Sequence, residues 1–217
     1  LVRRLAERAD VVIENFKVGG LEKFGLDAKS LRAANPRLVY ASITGFGQDG
    51  PYADRAGYDY IIQGIGGLMS ITGLPDGVPG GGPMRVGVAV VDLFTGLYTC
   101  VAILSALYAR EKSGEGATID MALFDTQLAM LANQASNALI SGNDPPRQGN
   151  THPNIVPYQP FDAADQPIII AVGNERQFAR LAEMCGHPGW TSDDRFASNG
   201  ARVAHRLPGR RREAGNV

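Results

Sequence analysis

Short runs of apolar, largely β-branched residues alternating with helically spaced stretches constrain this chain more than any other feature. Leu1, Leu5 and Ala9 make one helical face, and Val11-Val12-Ile13 follows as a short apolar run. The order then repeats. Ser30 to Asn35 reads as a short helix stopped by Pro36, and Leu38-Val39-Tyr40-Ala41-Ser42-Ile43 reads as a strand ending at Gly45. A long apolar helix from Asp92 to about Lys112 ends at Ser113-Gly114-Glu115-Gly116, and Ala117 to Leu123 follows as a third strand. Strands covered by helices on both faces carry such unbroken apolar runs, so the pattern predicts an α/β fold with a parallel sheet. In such sheets the strand ends are where ligands bind.

Between the second strand and the long helix lie a polar loop, Gly47 to Gly57, an apolar helix, Tyr58 to Thr72, which Gly73 ends, and a flexible Gly/Pro loop, Pro75 to Pro83. A third long helix, Asp125 to Ile140, puts Leu128, Leu131, Ala135 and Leu139 on one face. The loop Ser141 to Tyr158 then marks a domain boundary, followed by a strand, Pro167 to Val172, and a helix, Arg176 to Cys185. The expected division is a large Rossmann-like domain over 1–123, a linking helix and loop over 124–148, and a smaller α/β or α+β domain over 149–217. The large domain is expected to be incomplete at its N-terminal end, because Leu1 to Asp10 reads as a helix already in progress. The small domain is expected to be cut short, because Arg206 to Val217 loses helical periodicity and reads as a frayed tail.

With 44% hydrophobic and 20% charged residues and a net charge of −1, the chain has the means to bury a core and no basic excess to draw nucleic acid. The apolar stretch Leu93 to Ala109 is interrupted by Thr95, Gly96, Thr99 and Ser105, and so is expected to be a buried helix and not a membrane span. Cys100 and Cys185 are too few and too isolated for a disulfide framework or thiolate metal site, which fits a reducing, cytoplasmic setting. No His/Cys/Asp cluster has ligand spacing, so neither a metal nor a bound cofactor is expected.

Three stretches carry a more specific signal. They are Val11-Val12-Ile13-Glu14-Asn15-Phe16 with Gly20-Leu21-Glu22-Lys23-Phe24-Gly25; Ser42-Ile43-Thr44-Gly45-Phe46-Gly47 with Gly50-Pro51-Tyr52 and Ala56-Gly57-Tyr58-Asp59; and Arg85-Val86-Gly87-Val88-Ala89-Val90-Val91-Asp92 with Thr95-Gly96. In this order and spacing they resemble the family III CoA-transferases (CaiB/BaiF type). Gly149-Asn150-Thr151-His152-Pro153-Asn154, Val156-Pro157-Tyr158 and Gly173-Asn174 with Gln177-Phe178 extend the resemblance, which covers roughly Leu1 to His205.

The resemblance implies an interlocked homodimer for the complete protein. It also implies an enzyme that moves coenzyme A from an acyl-CoA, such as succinyl-CoA, to a carboxylic acid. Asp92 matches the aspartate that attacks the thioester to give a mixed anhydride and then an aspartyl-CoA thioester. A carboxylate needs no deprotonation at neutral pH to act, and a covalent intermediate conserves the thioester's energy if water is kept out. On local sequence alone Asp92 also reads as the N-cap of the helix it precedes, where the dipole would keep it ionised. Asn15, Phe16, Lys23, Phe24, Thr44, Phe46 and Leu123 match positions that line CoA. Lys23 is the natural phosphate partner, while Phe16 and Phe24 taken alone read as packing residues. Gly149, Asn150 and His152 fall in the loop expected to cover the intermediate, although this loop lacks the glycine run of the formyl-CoA branch. His152 alone reads as structural. Arg85 fits a role as a fork for the far carboxylate of a dicarboxylic substrate.

Two other readings remain at this point. An α-methylacyl-CoA racemase-like isomerase would need a base where Tyr58 stands, and a tyrosine of ordinary pKa near ~10 serves poorly. Asp59 beside it reads as a structural or loop-capping carboxylate. The remaining alternative is an inactive remnant with apolar surface left uncovered.

Overall fold

The computed structural model describes residues 1–206, and the tail expected beyond Arg206 lies outside them. The chain divides into two compact units, Leu1–Arg147 and Gln148–Val217. The first unit opens with α1 (Val2–Ala6), β1 (Val11–Glu14), a 3-10 turn (Glu22–Phe24), α2 (Ala28–Ala34) and β2 (Val39–Thr44). It continues through α3 (Asp59–Ile65), α4 (Leu68–Ile71), α5 (Val90–Ser113), β3 (Thr118–Ala122), α6 (Leu123–Met130) and α7 (Ala132–Ser141).

The three strands form one parallel sheet in the order β1-β2-β3, with Val11 opposite Val39 and Tyr40 opposite Thr118. Alternation along the strands sends their side chains into two different cores. Val12 and Tyr40 pack with Ala6, Leu31 and Leu38 on the face covered by α1 and α2. Val39 and Ala41 pack with Ile103, Ala106 and Leu107 of α5 on the other face. Two covered faces explain why the strands read as unbroken apolar runs.

The 24-residue helix α5 is longer than its interruptions suggest, and by length and composition alone it is long and apolar enough to cross a membrane. Its threonines do not interrupt it: Thr95 Oγ1 donates to Val91 O and Thr99 Oγ1 to Thr95 O, both at 2.7 Å, so the polar groups are absorbed by the preceding turn. One face, carrying Val91, Thr95, Thr99 and Ile103, is buried. The opposite face leaves Leu97 62% and Leu104 66% exposed, with Leu93, Val101 and Tyr108 in the same stripe. Near its end, buried Arg110 donates to Arg37 O at 3.0 Å and to Asp10 Oδ1 at 2.9 Å, tying the helix to the loops before β1 and β2.

Two helices expected to be continuous are each broken. The stretch from Tyr58 splits into α3 and α4 at Gly66 and Gly67. Gly67 takes a left-handed φ of 88°, and a Cβ on Gly66 would lie 1.3 Å from Gln127 Oε1, so α6 packs where that side chain would be. The stretch from Asp125 splits into α6 and α7 at Ala132, whose φ of 48° is left-handed without a glycine to mark it.

The second unit pairs β4 (Tyr158–Asp162) with β5 (Pro167–Ala171) in antiparallel fashion and adds α8 (Glu175–Met184) and α9 (Asn199–Ala204). Arg202 is its anchor. This buried side chain donates to Val156 O at 2.7 Å, Phe196 O at 2.8 Å and Glu175 Oε2 at 2.7 Å, and its guanidinium lies 4.1 Å from the Phe178 ring centroid.

Candidate active site

Asp92 stands in the first turn of α5, and the structure corrects its expected role as N-cap. That position is taken by Ala89, which has no side chain able to cap, and the orphan amides are met from another helix. Asp59, the first residue of α3, accepts with Oδ2 from the Val91 N–H at 2.8 Å and from the Asp92 N–H at 3.3 Å. Its Oδ1 accepts from Gln63 Nε2 at 2.6 Å. Among the described residues no donor is bonded to the Asp92 carboxylate, which is exposed. Partial burial of that carboxyl, and second the nearby Asp59 carboxylate, push it above the ordinary carboxylate range. Asp59 occupies two of the amides at the start of α5, so the Asp92 carboxyl has a like charge beside it at that turn.

Beneath this turn Val91, Ile62 and Leu123 form a buried cluster, with Ile43 and Phe46 packed against it. Leu123 and Phe46 thus meet under the base of α5. Phe46 also stacks edge-on with Tyr52 at 5.4 Å and tilts against Phe124 at 5.9 Å, so much of its ring is engaged in packing. Thr44 closes β2, its Oγ1 accepting from the Gly47 N–H at 2.9 Å and fixing the turn that follows. Arg85 is exposed, donates to Val86 O at 3.1 Å, and lies 6.0 Å from the Tyr60 ring centroid.

At the end of β1 a second group gathers. Asn15 and Phe16 are exposed directly after the strand, with the Phe16 N–H on Glu14 Oε2 at 2.7 Å. Lys23 and Phe24 share the 3-10 turn, the ammonium 5.0 Å from the Phe24 ring centroid. Phe16 and Phe24 are about 60% exposed, so they are not the core residues their type alone would imply. Ser42 donates to Glu14 Oε1 and accepts from Gln48 Nε2 at 2.8 Å, and the Gln48 N–H donates to Asp120 Oδ2 at 2.9 Å. The cleft beside these groups, about 90 Å³ and lined by Lys17, Leu21 and Tyr40 among others, is smaller than a nucleotide needs.

Gly149, Asn150 and His152 belong to the second unit. His152 holds its own loop: Nδ1 accepts from the Asn154 N–H at 3.0 Å, its N–H donates to Tyr158 O at 2.9 Å, and its ring lies 5.1 Å from that of Tyr158. The Thr151 N–H is bonded to Gln148 O at 3.2 Å, and Gly149 turns with a φ of 59°. The residues that sequence reasoning missed are Gln63, and Asp59 in its link to Asp92. Their partners lie 23 to 33 positions away, beyond any local signal.

A parallel three-stranded sheet between helices makes the first unit an α/β protein, with an exposed carboxylate in the first turn of its long covering helix. The chain belongs to CoA-transferase family III, whose profile matches residues 1–214. It is 59% identical over 207 residues to a succinate–glutarate CoA-transferase of Agrobacterium fabrum, covering 95% of this chain and 51% of that protein. It is 40% identical over 206 residues to a succinyl-CoA:glutarate CoA-transferase of Mus musculus, covering 95% and 46%. A crystal structure of a CaiB/BaiF family protein from Brucella suis superposes with a TM-score of 0.75 at 57% identity, over 94% of this chain and 53% of that one. The chain thus spans about half the length of the relatives it matches.

Proposed function

We propose that the protein carrying this chain moves coenzyme A from an acyl-CoA to a carboxylic acid, with Asp92 as its covalent nucleophile. The Asp92 carboxylate attacks the thioester carbonyl and CoA thiolate leaves, giving a mixed anhydride. The thiolate then attacks the aspartyl carbonyl, releasing the donor acid and leaving CoA as a thioester on Asp92. The acceptor carboxylate attacks that thioester, and the freed thiolate takes the acceptor acyl group and restores the carboxylate. The observation that carries this reading is the cap supplied by Asp59, which leaves Asp92 without a bonded donor at the helix start.

In this reading Asn15, Phe16, Lys23 and Phe24 hold CoA from the end of β1, with Lys23 on phosphate. Thr44, Phe46 and Leu123 shape the floor. Backbone N–H groups of the loop that carries Gly149, Asn150 and His152 are the proposed donors to the oxyanion. The two relatives named for glutarate support a dicarboxylic substrate, with Arg85 taking the far carboxylate. The uncovered apolar stripe of α5 supports further covering of this helix, as in a homodimer of the complete protein. Coenzyme A is a substrate here, with no resident cofactor.

The test is mass spectrometry after incubation with succinyl-CoA and then hydroxylamine, which converts an activated aspartyl group to its hydroxamate. Modification at Asp92 is expected. A folded, CoA-binding protein that remains unmodified there would overturn the reading.

A further inference from the structure

The contacts behind Asp92 form one continuous chain. The Val86 N–H donates to Gln63 Oε1 at 2.9 Å, Gln63 Nε2 donates to Asp59 Oδ1 at 2.6 Å, and Asp59 Oδ2 accepts from Val91 and Asp92. Gln63 is fully buried, and one face of α3 therefore grips two separate segments, the one following Arg85 and the first turn of α5. The chain of bonds has a fixed direction. A carboxylate at position 59 only accepts, so Gln63 must turn its amide nitrogen toward Asp59, which leaves its oxygen for Val86. Each of these four bonds then joins a donor to an acceptor, and flipping the Gln63 amide would set its oxygen against the Asp59 carboxylate and its NH2 against the Val86 N–H.

We infer that Asp59 and Gln63 are positioning residues for acyl transfer: they free Asp92 from capping its own helix and hold it in a fixed relation to the Arg85 segment. This deepens the CoA-transfer reading and rests on it. A dicarboxylic substrate held by its far end on Arg85 then meets the Asp92 carbonyl in one geometry, and misplacing a reacting group by about 1 Å costs about 100-fold in rate.

Asp59→Asn tests the direction of the bonds. The substituted side chain has one acceptor oxygen, and if that oxygen serves the α5 amides, its NH2 group faces Gln63 Nε2, donor against donor. Adding Gln63→Glu restores the match, since a carboxylate at position 63 accepts both from the introduced amide and from Val86. Three quantities are read in the protein carrying this chain: affinity for the CoA thioester, single-turnover labelling of Asp92, and hydrogen–deuterium exchange at the Val91 and Asp92 amides. Asp59→Asn is expected to slow labelling about 10- to 100-fold with affinity within about twofold, and to speed exchange at both amides. The double variant is expected to recover at least part of both. Unchanged exchange in Asp59→Asn, equal loss of affinity and labelling, or a double variant no better than the single would overturn the inference. Failure of the unsubstituted protein to label, with the exchange pattern as expected, would overturn the proposed reaction and leave the positioning frame standing.

Discussion

Gly45 and Gly57 meet backbone to backbone: a Cβ on Gly57 would lie 2.2 Å from Gly45 Cα, and one on Gly45 2.4 Å from Gly57 Cα. Gly45 leads into the loop after β2, and its carbonyl accepts from the Phe124 N–H of α6 at 3.0 Å. Gly57 stands two residues before Asp59. The contact therefore fixes the start of α3 against the sheet, and with it the carboxylate that caps α5.

Because the atoms in the way are main chain, no rotamer change relieves the crowding from an added methyl. Gly57→Ala is expected to cost about 2–3 kcal/mol, read as a lower midpoint in thermal unfolding followed by circular dichroism. Gly87→Ala, where a Cβ meets nothing within 4 Å, is expected to stay within about 0.5 kcal/mol. Equal midpoints for the two variants would contradict the close approach.

The raised pKa of Asp92 makes two predictions of opposite sense. Labelling requires the carboxylate, so it should fall off with acid at a pH above the ordinary aspartate value of about 3.9. Stability runs the other way. The folded state holds this proton more tightly than the unfolded chain, so the favourable contribution is complete below the unfolded value and is lost as pH rises through the folded one. Asp92→Asn is thus expected to abolish labelling, to unfold at a slightly higher temperature than the parent at pH 7, and to lose that advantage below about pH 4. Thermal unfolding at the two pH values reads the crossover.

What the sequence makes legible is whatever depends on near neighbours. The strands show because Val11–Ile13 and Val39–Ile43 are apolar on both faces, and α5 because its apolar residues run for many turns. What stays hidden depends on groups brought together by folding. β4 escapes a reading of the sequence because Pro160 interrupts it, which an edge pair tolerates since the ring needs no ladder donor there. The break at Ala132 has no glycine to announce it. Asp59 is legible as a capping carboxylate, but the amides it caps are 32 and 33 residues away. For the same reason Asp92, which has the local signature of an N-cap, does not serve as one.

Arg202 gives the second unit a test of its own, because Trp190 is the chain's single tryptophan and lies in that unit, 6.1 Å from the Phe196 ring. Arg202→Met keeps most of the aliphatic bulk but removes donors to the Val156 and Phe196 carbonyls and to Glu175. Those acceptors lose their partners inside the unit, so a loss of about 2–4 kcal/mol is expected, seen as a lower urea midpoint by Trp190 fluorescence. The hydrogen bond from Arg202 is the largest influence holding Glu175 below the ordinary carboxylate range. Its contribution is therefore present above about pH 4.3 and disappears as pH falls through the lowered value. The gap between parent and variant should narrow in acid; a gap constant from about pH 7 to about pH 3 would mean that the Arg202 bonds to carbonyls carry the whole effect and Glu175 none of it.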